Sequence, residues 1–143
     1  MRICDGCELC CTSTAVPELH KPQGVTCKHC DKGCLIYESR PKSCRDFECA
    51  WLAGDMPDWM KPDKVHFMIE KLPNVPVVLA FPEKGHEATW RSPEVVAALK
   101  REYQYRGVAV VAADGQALLP EGTTGADVKR DVMSAAKAMG VVP

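Results

Sequence analysis

Cysteine is missing from the last 94 residues of this chain, because all nine cysteines fall within its first 49 residues. Aromatic side chains are also scarce, at 6% of the sequence. The segregation of cysteine matters because sulfur is a strong ligand for transition metals. The sequence therefore predicts that the N-terminal third binds metal, whereas the remainder has to fold on ordinary apolar packing.

Other features are missing as well. No apolar run approaches the about 18 residues that a membrane span requires, and the start of the chain, at Met1–Cys4, does not resemble a secretory signal. We therefore expect no membrane association and a cytoplasmic location, where thiols stay reduced. Lysine and arginine total 18 against 19 acidic residues, evenly spread, so the basic surface typical of a nucleic-acid partner is lacking.

The cysteines form two groups with the spacing of chelating loops. The first group has three thiols two residues apart, as in bacterial iron–sulfur proteins, whereas zinc sites more often combine two two-cysteine loops. Adjacent Cys10 and Cys11 should diverge if the segment is extended, which predicts two environments. The candidate metal ligands are Cys4, Cys7, Cys10, Cys11, Cys27, Cys30, Cys34, Cys44 and Cys49.

Other interpretations of these cysteines are weaker. Disulfides are disfavoured by the odd number of cysteines and the expected compartment. Cys44 lies between Lys42 and Arg45 and would serve as a nucleophile with His29 as base, but that role accounts for one cysteine only. His20 and His29 are alternative ligands, whereas His66 and His86 suggest ordinary strand or surface positions.

The remaining pattern predicts an α+β fold. A helix is expected from Pro41, with Phe47 and Trp51 stacked and Gly54 at its end. Beyond it, two hairpins and two helices predict a small antiparallel sheet packed by two helices. We expect a cysteine-rich metal-binding module at residues 1–54 and a small α+β domain at residues 55–143, with one compact unit as the alternative. The first predicted hairpin consists of strands at Lys64–Leu72 and Val75–Phe81, joined by a turn at Pro73-Asn74. The second hairpin turns at Asp114-Gly115, and of the two helices one begins at Ser92-Pro93 and the other spans Ala126–Met139.

One run of residues resembles a known family. Cys4-x2-Cys7-x2-Cys10-Cys11, followed by Cys27 and then by Cys34-Leu-Ile-Tyr-Glu-Ser-Arg-Pro-Lys-Ser-Cys44-Arg-Asp-Phe-Glu-Cys49, is similar to a bacterial cysteine-cluster family described as zinc- or iron-chelating. The similarity covers residues 4 to about 52, and flagellin lysine N-methylases contain a similar domain. The similarity to the cysteine-cluster family implies eight metal ligands and leaves Cys30 as the spare thiol. The implied ligands are Cys4, Cys7, Cys10, Cys11, Cys27, Cys34, Cys44 and Cys49.

These observations lead to one main functional prediction. The chain should be a metal-binding protein with all-thiolate coordination of an iron–sulfur cluster or zinc, and the three-cysteine loop favours the cluster. Its metal should have a structural or redox role that supports an unidentified protein partner. The alternatives are a component of a protein-modifying enzyme like the flagellin methylases, or a metal storage or delivery protein. The segment Glu121–Gly125 lacks the lysine of a phosphate-binding loop, and no dinucleotide motif follows a strand, which disfavours a complete methyltransferase.

Overall fold

The computed structural model describes residues 6–112 and 114–140. Its helices and strands form a small α+β fold, which confirms the predicted class. The helices are α1 (Leu9–Ser13), α2 (Lys42–Asp46), α3 (Pro62–Val65), α4 (Pro93–Glu102) and α5 (Gly125–Ala138), and the strands are β1 (Phe67–Lys71), β2 (Val77–Pro82), β3 (Ala109–Ala112) and β4 (Ala117–Leu118).

The four strands form one sheet in the order β1-β2-β3-β4. Strands β1 and β2 pair antiparallel, as do β3 and β4, which agrees with the two predicted hairpins. Strands β2 and β3 pair in parallel, so the sheet is mixed and not wholly antiparallel. The difference arises because α4 lies between β2 and β3 in the chain and returns it to the same end of the sheet.

Both faces of the sheet are covered. Alternate residues of β2 and β3 pack into two separate apolar clusters, one on each face. Helix α5 covers the face that contains Val77 and Ala109, through Val128 and Ala135. Helix α4 covers the other face, so the two central strands are nearly continuous apolar runs.

The cysteine-rich segment joins this second face. Leu9, Cys49 and Trp51 are buried in the same cluster as Phe67 of β1 and Leu99 of α4. The N-terminal part therefore packs directly on the sheet and extends the core of the α+β part. The predicted boundary at residue 54 stays a prediction, and a shared core crosses it.

The predicted helix from Pro41 is shorter than expected. It ends at Asp46, and Phe47 is already extended, with φ −77° and ψ 130°. Burial accounts for the break, because Cys49, Ala50 and Trp51 enter the core as an irregular turn that ends at Gly54. A continuous helix would place only one stripe of that segment against the sheet.

Candidate metal centre

Six of the eight described cysteines line one cavity in the N-terminal part. They come from four separate stretches of chain, and Phe47, Ile36 and Leu19 complete an apolar wall around them. All eight described cysteines are free thiols. Cys4, also a predicted ligand, lies outside the described residues. The cysteines that line the cavity are Cys7, Cys10, Cys11, Cys27, Cys34 and Cys44.

The other two described cysteines lie close to this group. Cys30 contacts Cys11 through its thiol, and Cys49 is buried beside Cys7. Burial, followed by the hydrogen bond with Cys11, raises the pKa of the Cys30 thiol to about 12. The fold thus gathers eight of the nine predicted ligands into one region of the molecule.

Cys10 and Cys11 lie in helix α1, so the extended segment assumed from the sequence is wrong. Their thiols are hydrogen-bonded to each other, and that of Cys11 also contacts the Cys30 thiol. The hydrogen bond to Cys10 and, after it, burial hold the pKa of Cys11 well above its ordinary value. The two adjacent thiols therefore share one environment in this state of the molecule, which removes the structural basis for expecting two.

Backbone amides point at four of the sulfurs. In each case an N–H group two or three residues further along the chain donates to the sulfur, a hydrogen bond that stabilises the thiolate form. Burial opposes this effect and raises the pKa of both Cys7 and Cys49. The donor and acceptor pairs are Leu9 to Cys7, His29 to Cys27 at 3.4 Å, Gly33 to Cys30, and both Leu52 and Trp51 to Cys49.

A buried lysine fixes the loop between the two cysteine groups. Lys21 is only 7% exposed, and its ammonium group donates to the carbonyl oxygens of Thr14, Thr12 and Pro22. Its backbone also pairs with Val16 in an isolated bridge. These bonds order a stretch that has little apolar packing of its own, and nothing in the cysteine spacing indicated this role.

Two carboxylates tie separate loops together around the cavity. Glu8, just before α1, accepts the Gly33 N–H at 3.1 Å. Glu18 accepts both the Ser43 N–H at 2.9 Å and the Ser43 hydroxyl at 2.6 Å. Because Ser43 precedes Cys44 in α2, the second contact positions one cavity thiol from a distant part of the chain.

The rim of the cavity carries a cation–aromatic pair. The Arg40 guanidinium lies 3.8 Å from the centre of the Tyr37 ring, and its Nε donates to the Tyr37 carbonyl oxygen at 2.9 Å. Both side chains line the cavity. This pair places a positive charge on the lining of the cavity that contains the thiols.

A different group of residues has the tightest arrangement of ligand atoms. His66, Glu83 and His86 each have a possible metal-ligand atom within 4.8 Å of the other two. In residues 6–112 and 114–140, no other three cysteine, histidine or acidic residues are arranged this closely. The sequence predicted ordinary strand or surface positions for His66 and His86. The β1–β2 register brings His66 opposite Glu83, and that long-range pairing could not be derived from the spacing of histidines.

Nine cysteines and this His/Glu group are compatible with metal binding. Comparisons with protein-family models, with curated proteins and with solved structures found no match for this chain. The similarity of residues 4 to about 52 to the cysteine-cluster family therefore stays a prediction. Among the described residues, none of the helices has the length and apolar character needed to cross a membrane.

Proposed function

We propose that this chain is a metal-binding protein whose N-terminal thiolates hold an iron–sulfur cluster or zinc. The observation that carries the proposal is the convergence of six cysteines from four stretches of chain on one apolar-walled cavity. Thiolate is the donor type that both zinc and iron–sulfur clusters take, so the residues present fit either group. Cys30 contacts Cys11 from outside that set and remains the candidate spare thiol.

The spacing of the thiols favours an iron–sulfur cluster over a single zinc ion. In a tetrahedral zinc site with bonds of about 2.3 Å, the four sulfurs lie about 3.8 Å apart. The described thiols are more widely distributed, with no three mutually within 4.8 Å in the described part of the chain. Backbone N–H groups aimed at sulfur would stabilise the thiolate ligands of either metal.

The burial of the thiols bears on the role of the metal. Storage or delivery requires exposed, labile thiolates, whereas the described cysteines are half-buried or buried. A structural or redox centre that supports a protein partner, in a reducing compartment such as the cytoplasm, fits that burial better. A role as a component of a protein-modifying enzyme, as in the flagellin methylases, remains the second candidate and depends on the family resemblance alone.

The test is metal analysis of anaerobically purified protein. Iron and acid-labile sulfide in matching amounts, with visible charge-transfer absorption, would identify a cluster, whereas zinc without sulfide would identify a thiolate zinc site. Cys44→Ala should lose most of the bound metal, and Lys28→Ala, an exposed change in the same region, should retain it. Wild-type protein that contains neither metal after anaerobic purification, and takes up neither on reconstitution, would contradict the proposal.

A further inference from the structure

The geometry points to a second metal site, outside the cysteine region, in which His66, Glu83 and His86 bind a divalent transition-metal ion of the zinc type. Their ligand atoms all lie within 4.8 Å of one another. Imidazole nitrogen suits zinc, nickel and iron, and the addition of one carboxylate oxygen gives a mixed set that hard ions such as Mg²⁺ rarely take. The proposal is independent of the thiol centre.

The backbone builds this site. Glu83 donates its N–H to the His66 carbonyl oxygen at 2.8 Å, which extends the β1–β2 ladder by one residue. The His86 N–H then donates to the Glu83 carbonyl oxygen at 2.9 Å and closes a four-residue turn. Gly85 occupies the third position of that turn with φ +88°, a conformation that glycine adopts without strain. All three ligand residues are therefore fixed by main-chain bonds before any metal binds.

The distances between the side-chain ligand atoms are close to those between neighbouring ligands of a metal ion. The distance from His66 Nδ1 to Glu83 Oε2 is 2.7 Å, whereas two ligands on a tetrahedral zinc ion with bonds of about 2.1 Å lie about 3.4 Å apart, so these two atoms have to separate by less than about 1 Å. The His66 and His86 rings stack with their centres 3.9 Å apart and their planes within 10°. Metal binding would require each ring to rotate about its soft terminal torsion until one nitrogen of each faces a common point.

His66 connects helix α3 to strand β1. It ends the helix in the left-handed region, with φ 62° and ψ 29°, a conformation in which histidine, asparagine and aspartate are enriched among residues other than glycine. The backbone at this position is therefore compatible with a histidine.

Three protein ligands leave coordination positions open. The His66 and Glu83 side chains are 36% and 46% exposed, so water or a group from a partner can reach the metal. Closed structural zinc sites have four protein ligands, whereas sites with three keep an exchangeable position. The expected ligand set is thus that of an accessible metal site at the end of the β1–β2 hairpin.

The test uses the full chain with its thiols already saturated with metal. Zn²⁺ is titrated while the ring nitrogens of the four histidines are followed by long-range ¹H–¹⁵N correlation spectroscopy. His66 and His86 should shift together and saturate at one added equivalent, with His20 and His29 as internal controls. Visible absorption and thiol-bound metal, recorded in parallel, report on the cysteine centre separately.

Matched variants make the result decisive. His86→Gln and Glu83→Gln should weaken this Zn²⁺ binding by about tenfold or more, as should His66→Asn, which keeps a residue that tolerates the left-handed conformation. Glu87→Gln is the control, because Glu87 lies in the same loop and its carboxylate already accepts the Gly85 N–H. Equal shifts at all four histidines, or unchanged affinity in His86→Gln, would overturn the proposal and leave His66 and Glu83 as a surface ion pair.

Discussion

Glu18 holds Ser43 by two hydrogen bonds, at 2.6 Å to the hydroxyl and 2.9 Å to the backbone N–H, although 25 residues separate them in the chain. The Ser43 N–H is one of the donors at the start of α2 that the helix itself leaves unpaired. A carboxylate from another loop thus caps the helix that carries Cys44. This relationship makes the geometry of a thiol depend on a residue that is not a ligand.

The first prediction concerns Glu18→Gln. The hydrogen bonds from the Ser43 hydroxyl and N–H lower the pKa of Glu18, so its contribution to stability is present above the pKa of the unfolded chain and is lost as pH falls through the lower folded value. The Ser43 amide NMR shift should follow that titration in wild type and be flat in the variant. Glu38→Gln, at an exposed site nearby, should leave the titration unchanged; a Ser43 amide that still titrates in Glu18→Gln would contradict this reading.

The second prediction concerns Lys21→Met. Methionine keeps most of the length and apolar character of the side chain but leaves three partly buried carbonyl oxygens without their charged donor. We expect a loss of about 1–3 kcal/mol in the free energy of unfolding. Urea denaturation of metal-loaded protein measures it, with the exposed Lys28→Met as control; equal stability of the two variants would show that the ammonium group is dispensable.

The third prediction separates ligands from the spare thiol. Removing a true ligand leaves an incomplete site, whereas removing a bystander costs only packing. Cys30→Ala should therefore retain nearly full metal content, while Cys34→Ala and Cys44→Ala should lose it. Metal per chain after anaerobic purification decides between them. If Cys30→Ala loses as much metal as Cys44→Ala, Cys30 is a ligand and the spare thiol lies elsewhere, with Cys11 the first candidate.

The fourth prediction lies in the sheet. Burial raises the pKa of Glu70 in β1, so its ionised form is disfavoured in the folded protein. Glu70→Gln should therefore stabilise the protein at neutral pH, and the gain should disappear as pH falls below about 4.3, where the unfolded carboxyl is protonated as well. Thermal unfolding at several pH values tests this, with Glu121→Gln as an exposed control. A gain that is independent of pH would point to a cause other than ionisation.

The fifth prediction concerns removal of the metal. The loops between the cysteines are short of apolar contacts, so metal binding should supply much of their folding free energy. Metal-free protein should become sensitive to protease at residues 20–34 while the signals of α4 and α5 persist in amide NMR spectra. The same protease resistance with and without metal would show that the loops fold without it.

Local signals in the sequence predicted much of the α+β part. Ser92 and Pro93 start α4 as expected, and Asp114-Gly115 forms the turn between β3 and β4. Thr124 caps α5 in a reciprocal pair with Asp127, close to the predicted start of that helix at Ala126. Each of these features depends on a few neighbouring residues, which is why the sequence alone indicates them.

Features that depend on distant residues were not predictable in this way. The parallel pairing of β2 with β3 is decided by how α4 packs, and the pairing of Glu18 with Ser43 spans 25 residues. The cysteine spacing identified which residues bear the chemistry, but the placement of Cys10 and Cys11 in a helix changed what their adjacency means. Short helices such as α1 have weak propensity signals, because surrounding contacts stabilise them.

Strand β1 lies at the edge of the sheet, and the turn that begins at Cys49 covers it. The Ala50 N–H donates to the Ile69 carbonyl oxygen at 2.9 Å, and the Asp55 carboxylate binds Lys71 at 2.9 Å. Exposed edge strands add strands from other chains and aggregate. Loosening of the turn at Cys49 would therefore open this edge, so under the proposed function the loss of metal from the thiols would expose β1 to pairing with strands of other chains.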